Sequence, residues 1–476
     1  MFLRQITDSS LAQNAYLIGC QRTGEAVVID PERDVDRYIR IAEENDLRLS
    51  AVADTHIHAD YLTGARELIE RHKAKGYLSA EGGEEWQFEW AKGQEGVTLL
   101  HDGDSFRVGN IEIKAILTPG HTPEHMSFLV IDHGSGAKEP MAILSGDFIF
   151  VGDVGRPDLL ESAAGQAGAM EPSARVLFES LRRTSELPGF LQVLPAHGAG
   201  SACGKALGAV PTSVLDYERR HNAAFRLALE GEENEFVGTI LDGQPEPPLY
   251  FARMKRDNRS GPALLPDGKL PEPSRIQAGD LANWIGAERR TILDLRRDRA
   301  AFMERHLQGA LFAPIGGSHF SFAAGSYVDE DDEILLLVED DEDVDQAVRE
   351  LVRIGLDRVV AWIPVVEALK DDALAQRIRR IPTSELASSM DADEGSSVID
   401  VRGAGEHAAR HVKGSINVAH TRLAARLDEV PSEGTLLVHC ASGMRASLAA
   451  AYLASTGREV VHVDGPFGEV PDAVME

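Results

Sequence analysis

The sequence predicts an α/β protein of several domains, and three observations carry that prediction. The chain has 476 residues, more than one hydrophobic core organises. Short apolar runs alternate with helical patterns through its first half, which is the order of a layered α/β architecture. Its last part repeats itself at a nearly constant offset, the mark of a duplicated domain.

The apolar runs at 49–53, 111–117 and 141–144 each read as a buried strand. Each gives way to a loop with ligand-type side chains: Asp54-Thr55-His56, Thr118-Pro119-Gly120-His121 and Ser145-Gly146-Asp147. Helical patterns lie between them, at 64–75 and 173–183. Residues 255–273 are polar and rich in Pro and Gly, so they read as a linker. Beyond it, Ile276–Ala282 resembles Ile381–Ala387 at an offset of 105 (381 − 276). Asp294-Leu295-Arg296 matches Asp400-Val401-Arg402 at an offset of 106 (400 − 294), and His306…Gly309 matches His411…Gly414 at 105 (411 − 306). Two copies of one domain of about 100 residues follow, at 274–378 and 379–476. The acidic run 329–345 inside the first copy reads mostly as a solvated loop.

The charge balance narrows the function. With 48 basic and 77 acidic residues the net charge is −29. That field repels nucleic acid and anionic membrane, so neither is expected as a partner. No apolar run approaches the roughly 18 residues that span a bilayer, and Met1-Phe2-Leu3-Arg4-Gln5 does not start like a signal peptide. The three cysteines, Cys20, Cys203 and Cys440, are widely spaced, as in a reducing compartment. A cytoplasmic protein is expected.

Thr55-His56-Ile57-His58-Ala59-Asp60-Tyr61 crowds two imidazoles and a carboxylate into one turn. Imidazole and carboxylate suit iron or zinc. His121, Asp147 and His197 each follow an apolar run of their own, so strand-end loops can aim all of them at one place. This constellation resembles the metallo-β-lactamase fold, an αββα sandwich, over residues 1–254. The full motif of that fold is HxHxDH, which supports two adjacent metals; here Tyr61 replaces the last histidine. His56…Gly64, Thr118…Thr122 and Gly152…Asp158 together look like the persulfide dioxygenases, particularly those fused to rhodanese domains.

The resemblance implies one Fe(II) per chain, held by His56, His121 and Asp147, with molecular oxygen as co-substrate. Two histidines and one carboxylate on one face leave room for oxygen and substrate together. His58, Asp60 and His197 are then groups around these ligands, or possible ligands themselves. The implied substrate is a low-molecular-weight thiol persulfide such as glutathione persulfide, oxidised to sulfite and thiol. Arg156 has two readings, a clamp for an anionic group of the thiol carrier or a bridge to Asp153 or Asp158. Cys203, six residues beyond His197, is either a sulfur acceptor or a buried inert thiol.

In the last copy Cys440-Ala441-Ser442-Gly443-Met444-Arg445 lies between the apolar run 436–438 and a helical pattern. A thiol there faces backbone N–H groups and a helix start, with Arg445 adding positive charge. The Cys-x4-Arg spacing resembles an active rhodanese sulfurtransferase; phosphatase loops are usually one residue longer. His407 replaces the family's usual aromatic, and Gly465-Pro466-Phe467-Gly468 departs from its usual ending. The first copy has no cysteine: after 335–338 it reads Glu339-Asp340-Asp341, so it is expected to be an inactive spacer or docking face. Thiosulfate is the implied product of sulfite and a second persulfide, and a homo-oligomer is expected. The alternative is a glyoxalase II-like thioester hydrolase with a regulatory sulfur-binding module. A non-enzymatic persulfide sensor is a third possibility.

Overall fold

The computed structural model describes residues 1–162, 168–205, 207–392 and 395–476. They form two compact units, Met1–Pro247 with Phe251–Leu270, and Pro271–Glu476 with Pro248–Tyr250.

In the first unit, strands Phe2–Asp8, Gln13–Cys20, Glu25–Ile29, Arg48–Ala53, Lys75–Ser79 and Val97–Leu100 (β1–β6) form one sheet in chain order. A second sheet holds Ser105–Val108, Ile111–Leu117, Met126–Asp132, Ala142–Gly146, Gln192–Pro195 and Ser213–Val214 (β7–β12), also in sequential order. Alternation along the strands separates three cores. Tyr16, Ile18, Val27 and Ala53 of the first sheet meet Phe106, Ile113, Phe128 and Leu144 of the second. The opposite face of the first sheet (Leu17, Val28, Val52) packs on helices Asp36–Glu43 and Ala65–Glu70 through Tyr38, Ala42 and Leu68. The outer face of the second (Leu129, Ile143, Val193) packs on helices through Leu177, Phe225 and Phe236. The result is the αββα sandwich the sequence implied.

The second unit contains the repeat. One parallel sheet runs Ser274–Arg275, Val359–Pro364, Glu333–Val338, Arg290–Asp294, Leu311–Phe312 in spatial order. Another runs Arg379–Pro382, Glu459–Asp464, Thr435–His439, Ser397–Asp400, Ile416–Asn417. The two orders are equivalent, position for position. The repeated Asp-x-Arg does the same work in both: Arg296 pairs with Asp294 and donates to the Arg305 carbonyl at 2.8 Å. Arg402 pairs with Asp400 and donates to the Arg410 carbonyl at 2.8 Å. His407, the departure from the usual aromatic, stacks on His411 just as Phe302 stacks on His306.

Three expectations need correction. Residues 255–273 do not run free as a linker. Helix Tyr250–Ser260 covers the start of that stretch, and Asn258 is fully buried. The buried apolar residues of this helix, Phe251 and Met254, precede residue 255, so the charged remainder disguised it. The helical pattern at 64–75 gives only Ala65–Glu70, because the chain must turn to enter β5. The acidic run is not one loop: Glu333–Val338 is a central strand and Asp343–Arg353 a helix. Buried Asp343 opens that helix and receives both arms of Arg297.

Candidate metal centre and sulfur-transfer loop

Four loops leave strand ends to build the first site. His56 follows β4, while His121, Asp147 and His197 follow β8, β10 and β11. Asp147 owes its place to a register shift between Leu144 and Gly146, where β10 leaves β11. Gly146 has φ +54°, and a Cβ there would sit 2.5 Å from His125 Nε2 and 2.8 Å from Thr55 Oγ1. Only glycine brings the backbone this close to the centre.

One ligand atom from each of His56, His121 and Asp147 lies within 4.8 Å of the others, and all three residues are buried. The rings are held from behind. His121 Nδ1 sits 3.0 Å from the Arg156 carbonyl, which fixes it as the protonated nitrogen and leaves Nε2 for a ligand. His56 Nδ1 faces Thr55 Oγ1 at 2.9 Å. Asp147 receives its backbone support from His125, whose Nε2 accepts the Asp147 N–H at 3.0 Å. His121 Nε2 and Asp147 Oδ2 are 3.5 Å apart. Neither Asp147 oxygen makes a hydrogen bond of good geometry, and only the Cys203 thiol bears weakly on the carboxylate as a donor. A buried carboxylate so poorly served is costly. A cation there removes that cost, so the residues fit a metal.

The charge states agree with that fit. Burial pushes His121 down to about 4 and holds His56 well below its ordinary value, so both imidazoles are neutral donors. Burial lifts Asp147 to about 6 and Asp60 to about 6, the mark of carboxylates in want of a positive neighbour. His58 behaves differently. Burial opposes its charge, but Asp30, Asp54 and Asp60 outweigh that and lift it to about 9. Its Nε2 lies 3.2 Å from Asp30 Oδ1 and 3.0 Å from the Tyr61 hydroxyl. Tyr61 is fully buried, stacks on His58, and its hydroxyl also receives Gln13 Nε2 at 3.2 Å. It therefore fastens the back of the ligand loop.

Asp60, His197 and Cys203 form a neighbouring group whose ligand atoms also lie within 4.8 Å of one another. The buried Cys203 thiol is pushed well above its ordinary range, first by burial and then by the Asp60 and Asp147 charges. Arg156 belongs to neither group. It donates to both oxygens of Asp158, at 2.8 and 2.6 Å, to the Ala202 carbonyl at 2.9 Å and to the Pro245 carbonyl at 2.5 Å. With no side-chain exposure it is the bridge to Asp158, not a clamp for a carrier anion.

Sequence reasoning missed His125 and Asn258. His125 could have been found, four residues beyond His121 in the same turn. Asn258 could not: it donates to the His58 and Tyr61 carbonyls at 2.8 and 2.7 Å from within the polar stretch that reads as linker.

In the second unit Cys440 directly follows strand Thr435–His439, and helix Met444–Ser455 comes after it. The buried Sγ accepts the Gly443 N–H at 3.1 Å. Gly443 has φ +92°, and a Cβ there would lie 2.1 Å from Asp464 Oδ1. Arg445 does not point its charge freely at the thiol. Its two terminal nitrogens donate to the Glu406 carboxylate at 2.6 and 2.8 Å. In the cysteine-free copy the equivalent strand end carries exposed Glu339, Asp340 and Asp341.

A metal-ready αββα sandwich in one unit and a cysteine loop of this kind in the other match two families. The metallo-beta-lactamase superfamily matches residues 10–197 and the rhodanese-like domain residues 383–470. A metallo-beta-lactamase from Staphylococcus aureus is 38% identical, with 76% of this chain and 99% of that one covered at a TM-score of 0.66. The human mitochondrial persulfide dioxygenase is 29% identical over 199 residues, 41% of this chain and 68% of that protein. A probable polyketide-biosynthesis zinc-dependent hydrolase of Bacillus velezensis is 28% identical over 215 residues, 44% of this chain and 85% of its own. The chain belongs to the metallo-beta-lactamase superfamily, with a rhodanese-like domain following the metal-binding fold. Among the described residues no helix is long and apolar enough to cross a membrane.

Proposed function

We propose that the protein is an Fe(II)-dependent persulfide dioxygenase whose product is passed to its own sulfurtransferase loop. One observation carries the reading: a buried two-histidine, one-carboxylate group and a cradled rhodanese-type cysteine occur in one chain. The similarity to persulfide dioxygenase supports it. His56, His121 and Asp147 would hold the iron, which supplies the redox chemistry joining dioxygen to the terminal sulfur. The balanced reaction is RSSH + O2 + H2O → RSH + SO3²⁻ + 2H⁺. His121 and His56 serve as neutral donors, their outer nitrogens tied to the Arg156 carbonyl and Thr55.

Cys440 then takes the outer sulfur of a second persulfide, RSSH + Cys440–SH → RSH + Cys440–SSH. Sulfite removes it, Cys440–SSH + SO3²⁻ → Cys440–SH + S2O3²⁻. The Gly443 N–H stabilises the negative sulfur in both steps. Cys203 is the candidate for holding sulfur beside the iron. The limits 274–378 and 379–476 remain our assignment for the two copies, the first of them cysteine-free and inactive, while the metal-binding unit expected over 1–254 runs on to Leu270.

Oxygen uptake by the iron-loaded protein with glutathione persulfide tests the reading, and absence of uptake refutes it. Thioester hydrolysis is the second reading. It draws on the retained Asp60 and His197 beside Asp147 and on similarity to a hydroxyacylglutathione hydrolase of Francisella philomiragia. Thioester turnover without oxygen uptake would select it.

A further inference from the structure

We propose that the cysteine-free copy completes the sulfur-transfer loop of its neighbour, and that Arg299 is the positioning residue through which it does so. The proposal rests on the reading of Cys440 as a sulfur carrier and gives the inactive repeat a part in that chemistry. Both copies lie in the same compact unit. Arg299 opens helix Arg299–Glu304 of the first copy. Its guanidinium crosses to the last copy, where Nε and Nη2 meet Asp464 Oδ1 at 3.1 and 2.9 Å. The same Nη2 donates to the Ser442 carbonyl, inside the Cys440 loop, at 3.3 Å. Asp464 Oδ1 lies against the Gly443 backbone so closely that no Cβ fits there. Gly443 in turn sends its N–H to Cys440 Sγ at 3.1 Å. One side chain of the inactive copy thus holds two consecutive loop residues, Ser442 directly and Gly443 through Asp464.

Comparison of the two copies shows that this contact is not a by-product of their shared fold. Helix Arg299–Glu304 is equivalent to Ala404–Ala409 at an offset of 105 (404 − 299). In the active copy that helix carries Glu406, which receives both terminal nitrogens of Arg445 from its own loop. The first copy has Ala301 at the position of Glu406 and Arg299 at the position of Ala404. Its helix therefore lacks the residue that would serve its own loop and carries one that serves the neighbour's. A cation in the first turn faces the positive end of the helix dipole, so the helix itself gains nothing from Arg299. Asp464 does gain: its side chain is 16% exposed, and Arg380 reaches its other oxygen, Oδ2, at 3.4 Å. Without Arg299, the oxygen packed on Gly443 would oppose the negative charge that develops on sulfur. Tyr327 of the first copy secures the following helix as well. It stacks on Tyr452 of Met444–Ser455 and donates to the His420 carbonyl at 2.8 Å.

The test uses the full-length protein and follows sulfur loading from thiosulfate, S2O3²⁻ + Cys440–SH → SO3²⁻ + Cys440–SSH, by the mass of the peptide that carries Cys440. Arg299→Gln is expected to reach the same final loading as wild type, about tenfold more slowly. Half-saturating thiosulfate should stay within about threefold of wild type, because Arg299 touches the loop and not the sulfur donor. Amide hydrogen exchange over residues 441–444 should quicken in the same variant. Arg299→Lys, which keeps the charge, should recover part of the rate. In an Asp464→Asn background the further change Arg299→Gln should slow loading by less than about threefold, since the charge it holds is gone. Arg289→Gln, which breaks an exposed pair with Asp331 in the same copy, should leave the rate unchanged. A wild-type loading rate in Arg299→Gln overturns the proposal and leaves Cys440 as the sulfur carrier. An equal loss in both backgrounds also overturns it, because that marks a general loosening. A wild type whose Cys440 takes no sulfur refutes the sulfur-transfer reading itself, and the proposal falls with it.

Discussion

Gly443→Ala is the substitution whose consequence the geometry fixes most tightly. Alanine at φ +92° carries a strain of roughly 1–2 kcal/mol. Its Cβ would also lie 2.1 Å from Asp464 Oδ1. Asp464 cannot simply swing away, because Arg299 and Arg380 both hold its carboxylate. The loop itself must move, and that withdraws the Gly443 N–H from Cys440 Sγ, now 3.1 Å away. A hydrogen bond to a charged acceptor contributes roughly 1.5–3 kcal/mol. At about 1.36 kcal/mol per tenfold, sulfur transfer should slow by roughly 10- to 150-fold. The assay is thiosulfate:cyanide sulfur transfer, with thermal unfolding of the same sample to register the strain separately. A variant that transfers sulfur within about threefold of wild type would show that the Gly443 N–H does not support the sulfur anion.

Three other outcomes follow from the same structure. His121→Ala should abolish bound iron and oxygen uptake together; elemental analysis showing full iron with no uptake would remove His121 from the ligand set. Given excess persulfide and oxygen, the wild type should yield mainly thiosulfate, since tethering favours capture of sulfite by the second centre; Cys440→Ser should take up oxygen at a similar rate and release sulfite. Wild-type proportions of thiosulfate from that variant, after correction for the uncatalysed reaction, would disprove the coupling. Asp400 is buried, and although burial raises its carboxyl, the Arg402 bonds outweigh this and leave it below its ordinary 3.8. Its contribution is therefore present above pH 3.8 and lost as pH falls through the depressed folded value. Breaking the pair with Asp400→Ala should cost about 3–5 kcal/mol at neutral pH and flatten the acid limb of a denaturation series. An unchanged acid limb would assign the acid sensitivity to other carboxylates.

What could be read from the sequence was what depends on local pattern. The strand at 111–117 was placed to the residue, because alternation along Ile111–Leu117 buries one face against Phe128 and Leu144. The repeat was legible because Asp294-x-Arg296 and Asp400-x-Arg402 make the same buried pair in both copies. The ligand candidates were legible because they sit where strands end. Features set by distant partners were hidden. Arg156 reads equally well as an anion clamp or a bridge, and only the approach of Ala202 and Pro245 decides for the bridge. Tyr61 reads as a lost ligand, yet it packs against His58 under Asp30 and Gln13, so the substitution exchanges a metal bond for a fastened loop. That exchange bears on chemistry. A motif with its last histidine missing suggests a vacant second position, but His197, Asp60 and one Asp147 oxygen still converge there with Cys203 beside them. The sequence brings Cys203 near the site only through its six-residue distance from His197; the approach of its sulfur to within 4.8 Å of an Asp60 oxygen, 143 residues away (203 − 60), is set by the fold that returns the chain from β11.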